Sequence, residues 1–400
     1  MNEKGLVNFF EQFLTKKSLF VNKSALQSHY APGVIQHRDT QIKQVANILA
    51  PCLKGEKPSN LFIYGKTGTG KTLVTKYTTD QIAHVSDERS LSVKVVYINC
   101  KLKKVADTEY RLVAQLAKEF GKEVPPTGLP TDEVYRIFFS ALDRQKQIVI
   151  LVLDEIDQLI GKAGDELLYN LTRINQELVN ARISIVGISN DLSFTDTLDP
   201  RVRSSLSEEE LVFPPYDALQ LQDILRDRAT VAFAPNAVQA GVIEKCAARA
   251  ASDNGDARRA LEILRVAGEL AERQGVESLT LAHLDGAEET IEKDRVLELV
   301  RTQPKQHQAT LFAILNVCGE KSGVFTGEIY DKYQQLCEKT KLRPLTQRRV
   351  SDIIAEFDML GLISAKVISK GRYGRTREIS MAVPAQNVQR MRQILEDSLL

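Results

Sequence analysis

The sequence predicts a three-layer α/β domain built on a parallel sheet, then a small helical domain and a C-terminal winged helix. Three observations carry that reading. A short apolar run, Leu61-Phe62-Ile63-Tyr64, leads into Gly65-Lys66-Thr67-Gly68-Thr69-Gly70-Lys71-Thr72 and then a helical pattern, the strand, loop and helix context of a Gly-x-x-x-x-Gly-Lys-Thr phosphate-binding loop. Strand-like runs alternate with helical ones as far as residue 213, the order of a parallel sheet covered on both faces. Beyond residue 305, three helical segments precede two strand-like pieces joined by a basic turn, the order of a winged helix.

Composition narrows the class. A chain of 400 residues is too long for one ordinary core, so several domains are expected. Its charges nearly cancel, to +1, so a nucleic-acid surface has to be a local patch rather than a global field. The five cysteines (Cys52, Cys100, Cys246, Cys318, Cys337) show neither Cys-x-x-Cys nor metal-finger spacing, which predicts free thiols in a reducing compartment and no structural metal site. The strongest apolar run, residues 148–153, is far shorter than the roughly 20 residues that span a bilayer. Met1-Asn2-Glu3-Lys4 lacks a signal-peptide pattern, and a cytoplasmic protein with no membrane partner is expected.

Taken in order, residues 1–33 carry Phe9, Phe10, Phe13 and Leu14 among lysines, a pattern for one amphipathic helix ahead of an irregular arm. Val34 and Ile35 then open a segment that runs through His37-Arg38-Asp39 into the helical pattern Ile42, Val45, Ala46, Leu49. Just ahead of the loop's strand, this segment either packs on a nucleotide base or is an ordinary packing helix. Residues 93–99 are β-branched and apolar, as a second strand requires. Helical patterns over 110–120 and 132–142 are separated by the breaker Pro125-Pro126-Thr127-Gly128-Leu129-Pro130. Residues 148–153 run apolar without alternation, as a strand buried on both faces does, and end in Asp154-Glu155-Ile156-Asp157. A further strand over 183–189 ends at Asn190, and residues 210–213 suggest a fifth before Pro214-Pro215. Residues 219–300 carry only helical patterns. In the last part, helices over 308–318, 326–340 and 346–360 are followed by strands over 362–368 and 377–383, with the turn spanning 369–376.

Several of these residues carry chemistry. The loop's glycines let backbone N–H groups wrap a polyphosphate at a helix start, with Lys71 reaching the β- and γ-phosphates and Thr72 binding Mg²⁺. Asp154, at the end of a buried strand, is placed to orient the Mg²⁺ hydration shell, and Glu155 to polarise a water for attack on the γ-phosphate. Asn190 adds a neutral hydrogen-bonding group at a neighbouring strand end, unless it merely forms a turn. Asp199-Pro200-Arg201-Val202-Arg203 offers two arginines, either of which suits a neighbouring subunit's γ-phosphate. Asp256 suits the cap of a helix whose Arg258 and Arg259 point about 100° apart, so one of them faces a nucleotide. Near the C-terminus, Val350, Ile353, Ile354, Phe357 and Leu360 form one apolar face, with Arg348 off that stripe and Arg349 near the helix start. Residues 341–377 hold nine Lys/Arg against three Asp/Glu, a local excess that suits DNA, although a winged helix can also dock protein.

Gly65 to Thr72, Leu153-Asp154-Glu155-Ile156-Asp157, Ile188-Ser189-Asn190-Asp191, Asp199 to Leu206, Phe213-Pro214-Pro215-Tyr216, Gly255-Asp256-Ala257-Arg258 and the wing Gly371-Arg372-Tyr373-Gly374-Arg375 occur in one order. Together they resemble the AAA+ replication initiators of archaea, homologues of the eukaryotic origin recognition complex and cell-division-cycle loader. The likeness covers residues 34–383. It implies an AAA+ P-loop ATPase domain (34–216), a helical lid (217–300) and a winged-helix DNA-binding domain (301–400), behind an arm (1–33). It implies ATP or ADP with Mg²⁺ as cofactors, a Walker A loop at Gly65, Lys66, Thr67, Gly68, Thr69, Gly70, Lys71 and Thr72, and Walker B at Asp154 and Glu155. Sensors would be Asn190 and Arg258, the arginine finger Arg201 with Arg203 as rival, and Val34, Ile35 and Tyr216 would meet the nucleotide. A helical insertion within 107–142 and Arg348, Arg349, Arg372, Tyr373, Gly374 and Arg375 would meet DNA. The implied function is ATP-dependent recognition of double-stranded origin DNA and recruitment or loading of the MCM helicase, in the nucleoid. Hydrolysis is expected to be slow until a second copy or a paralogous initiator supplies Arg201. The alternatives are a signalling-type P-loop switch whose winged helix docks protein, and a DNA-binding regulator that uses nucleotide only structurally.

Overall fold

The computed structural model describes residues 18–101, 108–125, 127–194, 198–206, 208–318, 324–369 and 375–400. The chain divides into two compact units, Met1–Leu284 and Asp285–Leu400.

In the first unit, β1 (Asn60–Tyr64), β2 (Val93–Asn99), β3 (Gln147–Asp154), β4 (Ala181–Ser189) and β5 (Glu208–Val212) form one parallel sheet in the order β2-β3-β4-β1-β5. Every residue of β3 is buried, as its unalternating apolar run predicts for the centre of a covered sheet. One face packs Ile63, Val74, Ile150 and Val186 against α1 (Asp39–Leu49) and α2 (Lys71–Glu88). The other packs Phe62, Leu151 and Ile185 against α3 (Glu109–Glu119), α4 (Thr131–Leu142), α5 (Ile156–Ala163) and α6 (Glu166–Arg173). Helices α3 and α4 are the two helical patterns on either side of the proline-rich breaker. Leu112, Val113 and Leu116 meet Val134, Phe138 and Leu142 in the buried core, and the Thr108 hydroxyl caps α3 by accepting from Arg111 N at 3.4 Å. The fifth strand starts two residues earlier than its apolar content suggests, because Glu208 and Glu209 pair with Asn60 and Leu61 on the exposed edge of the sheet.

After α7 (Pro200–Leu206) and β5, the chain builds a helical layer from α8 (Ala218–Ala232), α9 (Val242–Ser252) and α10 (Ala257–Gln274). A capping box starts α8, in which Asp217 Oδ1 accepts from Gln220 N at 2.8 Å and the Gln220 side chain accepts from Asp217 N at 3.2 Å. The part of the N-terminal arm that is described docks on this layer. Phe20 stacks on Phe233 at 4.8 Å, and Val21 N donates to Ala232 O at 2.8 Å. The amphipathic pattern at Phe9, Phe10, Phe13 and Leu14 lies outside the described residues.

Helix α11 (Leu281–Thr302) begins in the first unit and ends in the second. The second unit holds α12 (Lys305–Cys318), α13 (Thr326–Thr340), α14 (Gln347–Met359) and a sheet of β6 (Val324–Phe325), β8 (Arg375–Met381) and β7 (Ile363–Ser369), in that order. Val350, Ile353, Ile354 and Phe357 form the buried stripe of α14, as their spacing predicts. The hairpin turn is shorter than the sequence suggests, because Ser369 pairs with Arg375 and Ile368 with Thr376, extending the ladder at both ends. A last helix, α15 (Ala385–Leu399), which the sequence reading lacks, closes this core with Met391 and Leu395.

Candidate functional site

Strand β1 delivers the glycine loop to the first turn of α2. Gly68 (φ 73°) and Gly70 (φ 90°) take left-handed backbone conformations that L side chains resist. A Cβ on Gly68 would stand 1.7 Å from Asp256 Oδ1, and one on Gly70 2.8 Å from the Tyr216 hydroxyl. Only glycine lets the helical layer come this close to the loop. Lys71, 5 % exposed, folds back into its own loop. Its Nζ donates to Gly65 O at 2.7 Å, Lys66 O at 2.8 Å and Asn190 Oδ1 at 2.9 Å. Burial first and the Arg258 guanidinium second push this ammonium down to about 8, against the pull of Asp154, Asp157 and Asp256. A phosphate group would relieve that strain by supplying negative charge.

The sheet register sets the remaining groups at one level, since Tyr64 pairs with Ser189 and Asp154 with Ile188. Asp154, 5 % exposed, accepts from Thr72 Oγ1 on Oδ2 at 3.0 Å and from Glu155 N on Oδ1 at 3.0 Å, and the Tyr97 hydroxyl also donates to Oδ2. One carboxylate beside one hydroxyl fits Mg²⁺, which completes its oxygen shell with phosphate and water rather than with a protein cage. That donor set agrees with the lack, among the described residues, of any group of three or more His, Cys, Asp and Glu able to hold a metal. Asp157 Oδ1 accepts from Ser189 Oγ at 3.2 Å and Asn190 N at 3.4 Å, tying the end of β4 to the start of α5. Glu155 holds a left-handed backbone (φ 56°, ψ 47°), a conformation that costs a non-glycine residue about 1 kcal/mol. Its carboxylate lies 3.6 Å from Lys101 Nζ.

Two adjoining cavities result. The smaller, about 170 Å³, is polar and lined by Lys71, Thr72, Asp154, Glu155, Asn190 and Arg258. The larger, about 340 Å³, includes Val34, Ile35, Tyr77, Tyr216, Ile224 and Leu261 in its wall. They share Gly68, Gly70, Thr72 and Arg258. A polar chamber joined to a mostly apolar one suits a ligand that is anionic at one end and flat at the other.

Of the two arginines opening α10, Arg258 lines both cavities, whereas Arg259 turns to Asp253 at 3.9 Å and Glu262 at 3.5 Å. Lys66 and Thr67 are exposed and line neither cavity, and Lys66 Nζ instead donates to Asn254 Oδ1 at 2.5 Å. Gly65 and Thr69 are buried in the loop, with the Thr69 hydroxyl donating to Lys66 O at 2.9 Å. Arg201 stands outside the cavities on the surface, its Nε and Nη2 each 3.1 Å from the Asp199 carboxylate. Arg203 is likewise exposed. In the second unit, Arg348 and Arg349 lie exposed at the start of α14, off its buried stripe. Thr346 Oγ1 caps that helix by accepting from Arg349 N at 3.4 Å, and Arg349 Nη1 reaches Glu356 at 3.5 Å. Arg372, Tyr373 and Gly374 lie outside the described residues, and of Arg375 the backbone alone, in β8, is described.

The sequence reading gave no role to Tyr97, whose hydroxyl meets Asp154, or to Lys101 beside Glu155. It placed Arg38 in a base-binding segment, yet this residue is 2 % exposed and donates to Thr69 O at 2.9 Å and Pro214 O at 2.7 Å. The available signal for Tyr97 is the pairing of β2 with β3 in register, Asn99 opposite Asp154. For Arg38 the signal is a guanidinium two residues after a buried Ile, just ahead of a helix.

Three family models match consecutive parts of the chain: an AAA domain over residues 55–193, the Cdc6 AAA+ ATPase-type lid domain over 222–289, and the CDC6 C-terminal winged helix domain over 298–391. The chain is 51 % identical to the ORC1-type DNA replication protein 1 of Methanosarcina mazei, across 98 % of this chain and 94 % of that one. It is 52 % identical to the ORC1-type DNA replication protein of Pyrococcus abyssi, across 94 % and 91 %. Among solved structures, that of the Aeropyrum pernix ORC1 protein in complex with DNA is similar, with a TM-score of 0.84 and 44 % identity over 96 % of this chain and 98 % of that one.

Proposed function

The chain belongs to the family of ORC1-type DNA replication proteins, and from that premise we propose that it is an ATP-dependent initiator that binds double-stranded origin DNA and helps recruit or load the MCM helicase. The observation that carries the nucleotide half of this reading is the convergence of Lys71, Thr72, Asp154, Glu155, Asn190 and Arg258 on one polar cavity beside an apolar one. In this reading Lys71 exchanges loop carbonyls for the β- and γ-phosphates, and the loop N–H groups hold the rest of the polyphosphate. Thr72 and Asp154 hold Mg²⁺, which when bound offsets the charge that develops on the phosphates. Glu155 orients a water once its carboxylate leaves Lys101, Asn190 holds that water or the γ-phosphate, and Arg258 reports the nucleotide to the helical layer. Val34, Ile35 and Tyr216 receive the base. Arg201, exposed and held by Asp199, serves a neighbouring copy's nucleotide, so an isolated protomer turns over slowly. The working division is 34–216 for the ATPase, 217–300 for its lid and 301–400 for DNA, with Arg348, Arg349 and the wing residues Arg372, Tyr373, Gly374 and Arg375 on the DNA. The work takes place in the cytoplasm at the nucleoid; no helix among the described residues is long and apolar enough to cross a membrane.

Two substitutions and a footprint test the proposal. Lys71→Ala abolishes nucleotide binding, while Glu155→Gln binds ATP and fails to hydrolyse it. Wild-type turnover in both would refute the site. Footprinting on origin-containing and random DNA at one stated salt concentration should show preferential protection of origin repeats; equal protection of both would refute the origin reading.

A further inference from the structure

Arg38 is one of the largest fully buried side chains of the chain. Besides the Thr69 and Pro214 carbonyls, its Nη1 donates to His37 O at 3.2 Å, and its guanidinium carbon lies 3.7 Å from the centre of the Tyr216 ring and 5.8 Å from that of Phe213. Among the described residues no carboxylate pairs with it. A buried cation whose partners are all neutral is costly to keep, and this one sits directly behind a loop shaped for anions. Its two longest reaches connect separate parts of the fold. Thr69 O belongs to the phosphate loop. Pro214 O and Tyr216 belong to the segment by which the chain leaves β5 for α8, and Tyr216 N in turn donates to Gly255 O at 3.3 Å, next to the Asp256 that touches Gly68.

The Thr69–Gly70 peptide is trans, so a carbonyl held toward Arg38 turns the Gly70 N–H to the opposite edge of the same plane. Gly70 lines both cavities. We propose that Arg38 is a positioning residue that ties the phosphate loop to the hinge of the helical layer, so that movement of that layer is felt as a change in polyphosphate affinity. The guanidinium fork is needed because two carbonyls on different segments must be held in fixed directions, which the single ammonium of a lysine does not do. Bound polyphosphate also supplies the negative charge that the buried guanidinium lacks. The inference rests on the nucleotide-binding reading above.

The test uses the full chain with Arg38→Met and Arg38→Lys, ADP and AMP titrations in Mg²⁺, and hydrogen exchange of the amides of 65–72 and 214–218. Arg38→Met should weaken ADP by about tenfold or more, the effect of losing a charge-assisted hydrogen bond, and weaken AMP clearly less. Exchange should rise in both segments together, and Arg38→Lys should recover little of the ADP affinity. A purely structural role predicts a lower melting temperature with the ADP to AMP ratio unchanged, and that outcome overturns the proposal. So does faster exchange confined to 214–218, or full recovery in Arg38→Lys, which would leave charge alone as the cause. If the wild type itself fails to bind ADP, the nucleotide reading falls and takes this inference with it. If the wild type and Arg38→Met bind ADP alike, this inference falls alone.

Discussion

Gly68→Ala tests how closely the loop and the helical layer are built together. Two costs follow from the structure. An alanine held at φ 73° loses roughly 1–2 kcal/mol to left-handed backbone strain. Its Cβ would also meet Asp256 Oδ1 at 1.7 Å, Cγ at 2.3 Å and Cα at 3.0 Å, so the carboxylate has to move. That carboxylate caps α10 by accepting from Arg258 N at 2.8 Å and Arg259 N at 3.2 Å, and losing such a cap costs about 1 kcal/mol. The same displacement pulls on the bond from Ala257 N to Gly68 O, 3.3 Å long. The expected total is about 2–3 kcal/mol, or roughly 30- to 150-fold in an equilibrium constant. Asp256→Gly separates the two costs, because glycine is only slightly worse than aspartate at a cap and removes the atoms the Cβ would strike. In a double-mutant cycle followed by denaturant unfolding and ADP titration, Gly68→Ala should cost about 1 kcal/mol less in the Asp256→Gly background. Strict additivity, or a Gly68→Ala protein with wild-type stability and ADP affinity, would refute the claim that loop and cap are in contact.

Two further outcomes follow from the site. Lys71 is lowered from 10.5 to about 8 in the fold, so between those values the unfolded chain keeps a proton that the folded chain has shed, and stability without nucleotide should rise with pH across that window. Nucleotide binding has the opposite sign, since polyphosphate needs the charged ammonium. ADP affinity should fall by up to about tenfold per pH unit above about 8, and Lys71→Arg should flatten the profile; a flat wild-type profile to pH 9.5 would contradict the assignment. Tyr97→Phe removes one of the two hydroxyls on Asp154 Oδ2, about 1.5–3 kcal/mol for a hydrogen bond to a charged group. It should raise the Mg²⁺ concentration needed for tight ADP binding while leaving the unfolding midpoint nearly unchanged, and an unaltered Mg²⁺ titration would show that Tyr97 does not orient this carboxylate.

What could be read from the sequence was whatever its chemistry and periodicity keep local. The eight-residue loop, the uninterrupted apolar run of β3 and the stripe of α14 each specify their element without help from elsewhere, and all three stand where expected. The arginine pair at α10 shows the limit of that. Its helical spacing establishes that the two side chains diverge by about 100°, but not which of them faces the cavity. Asp253 and Glu262 decide it by drawing Arg259 away. Tyr97 and Asp154 are 57 residues apart, and nothing in either strand announces that they share a proton until β2 and β3 are set in register.

The same limit explains why the loop residues form two groups although they are consecutive. Gly68, Gly70, Lys71 and Thr72 face the cavities, while Lys66 reaches Asn254 and Thr69 O reaches Arg38. A loop that only had to wrap a phosphate would have no need of those outward bonds. Here its outer side is fastened to the helical layer in three places: Lys66 to Asn254, Gly68 O to Ala257 N, and Thr69 through Arg38 to the hinge. Anion contacts on the inner side and these fastenings on the outer side act on the same peptide planes, so neither side can be rearranged alone. That shared backbone is the physical reason to expect nucleotide state and the position of the helical layer to change together.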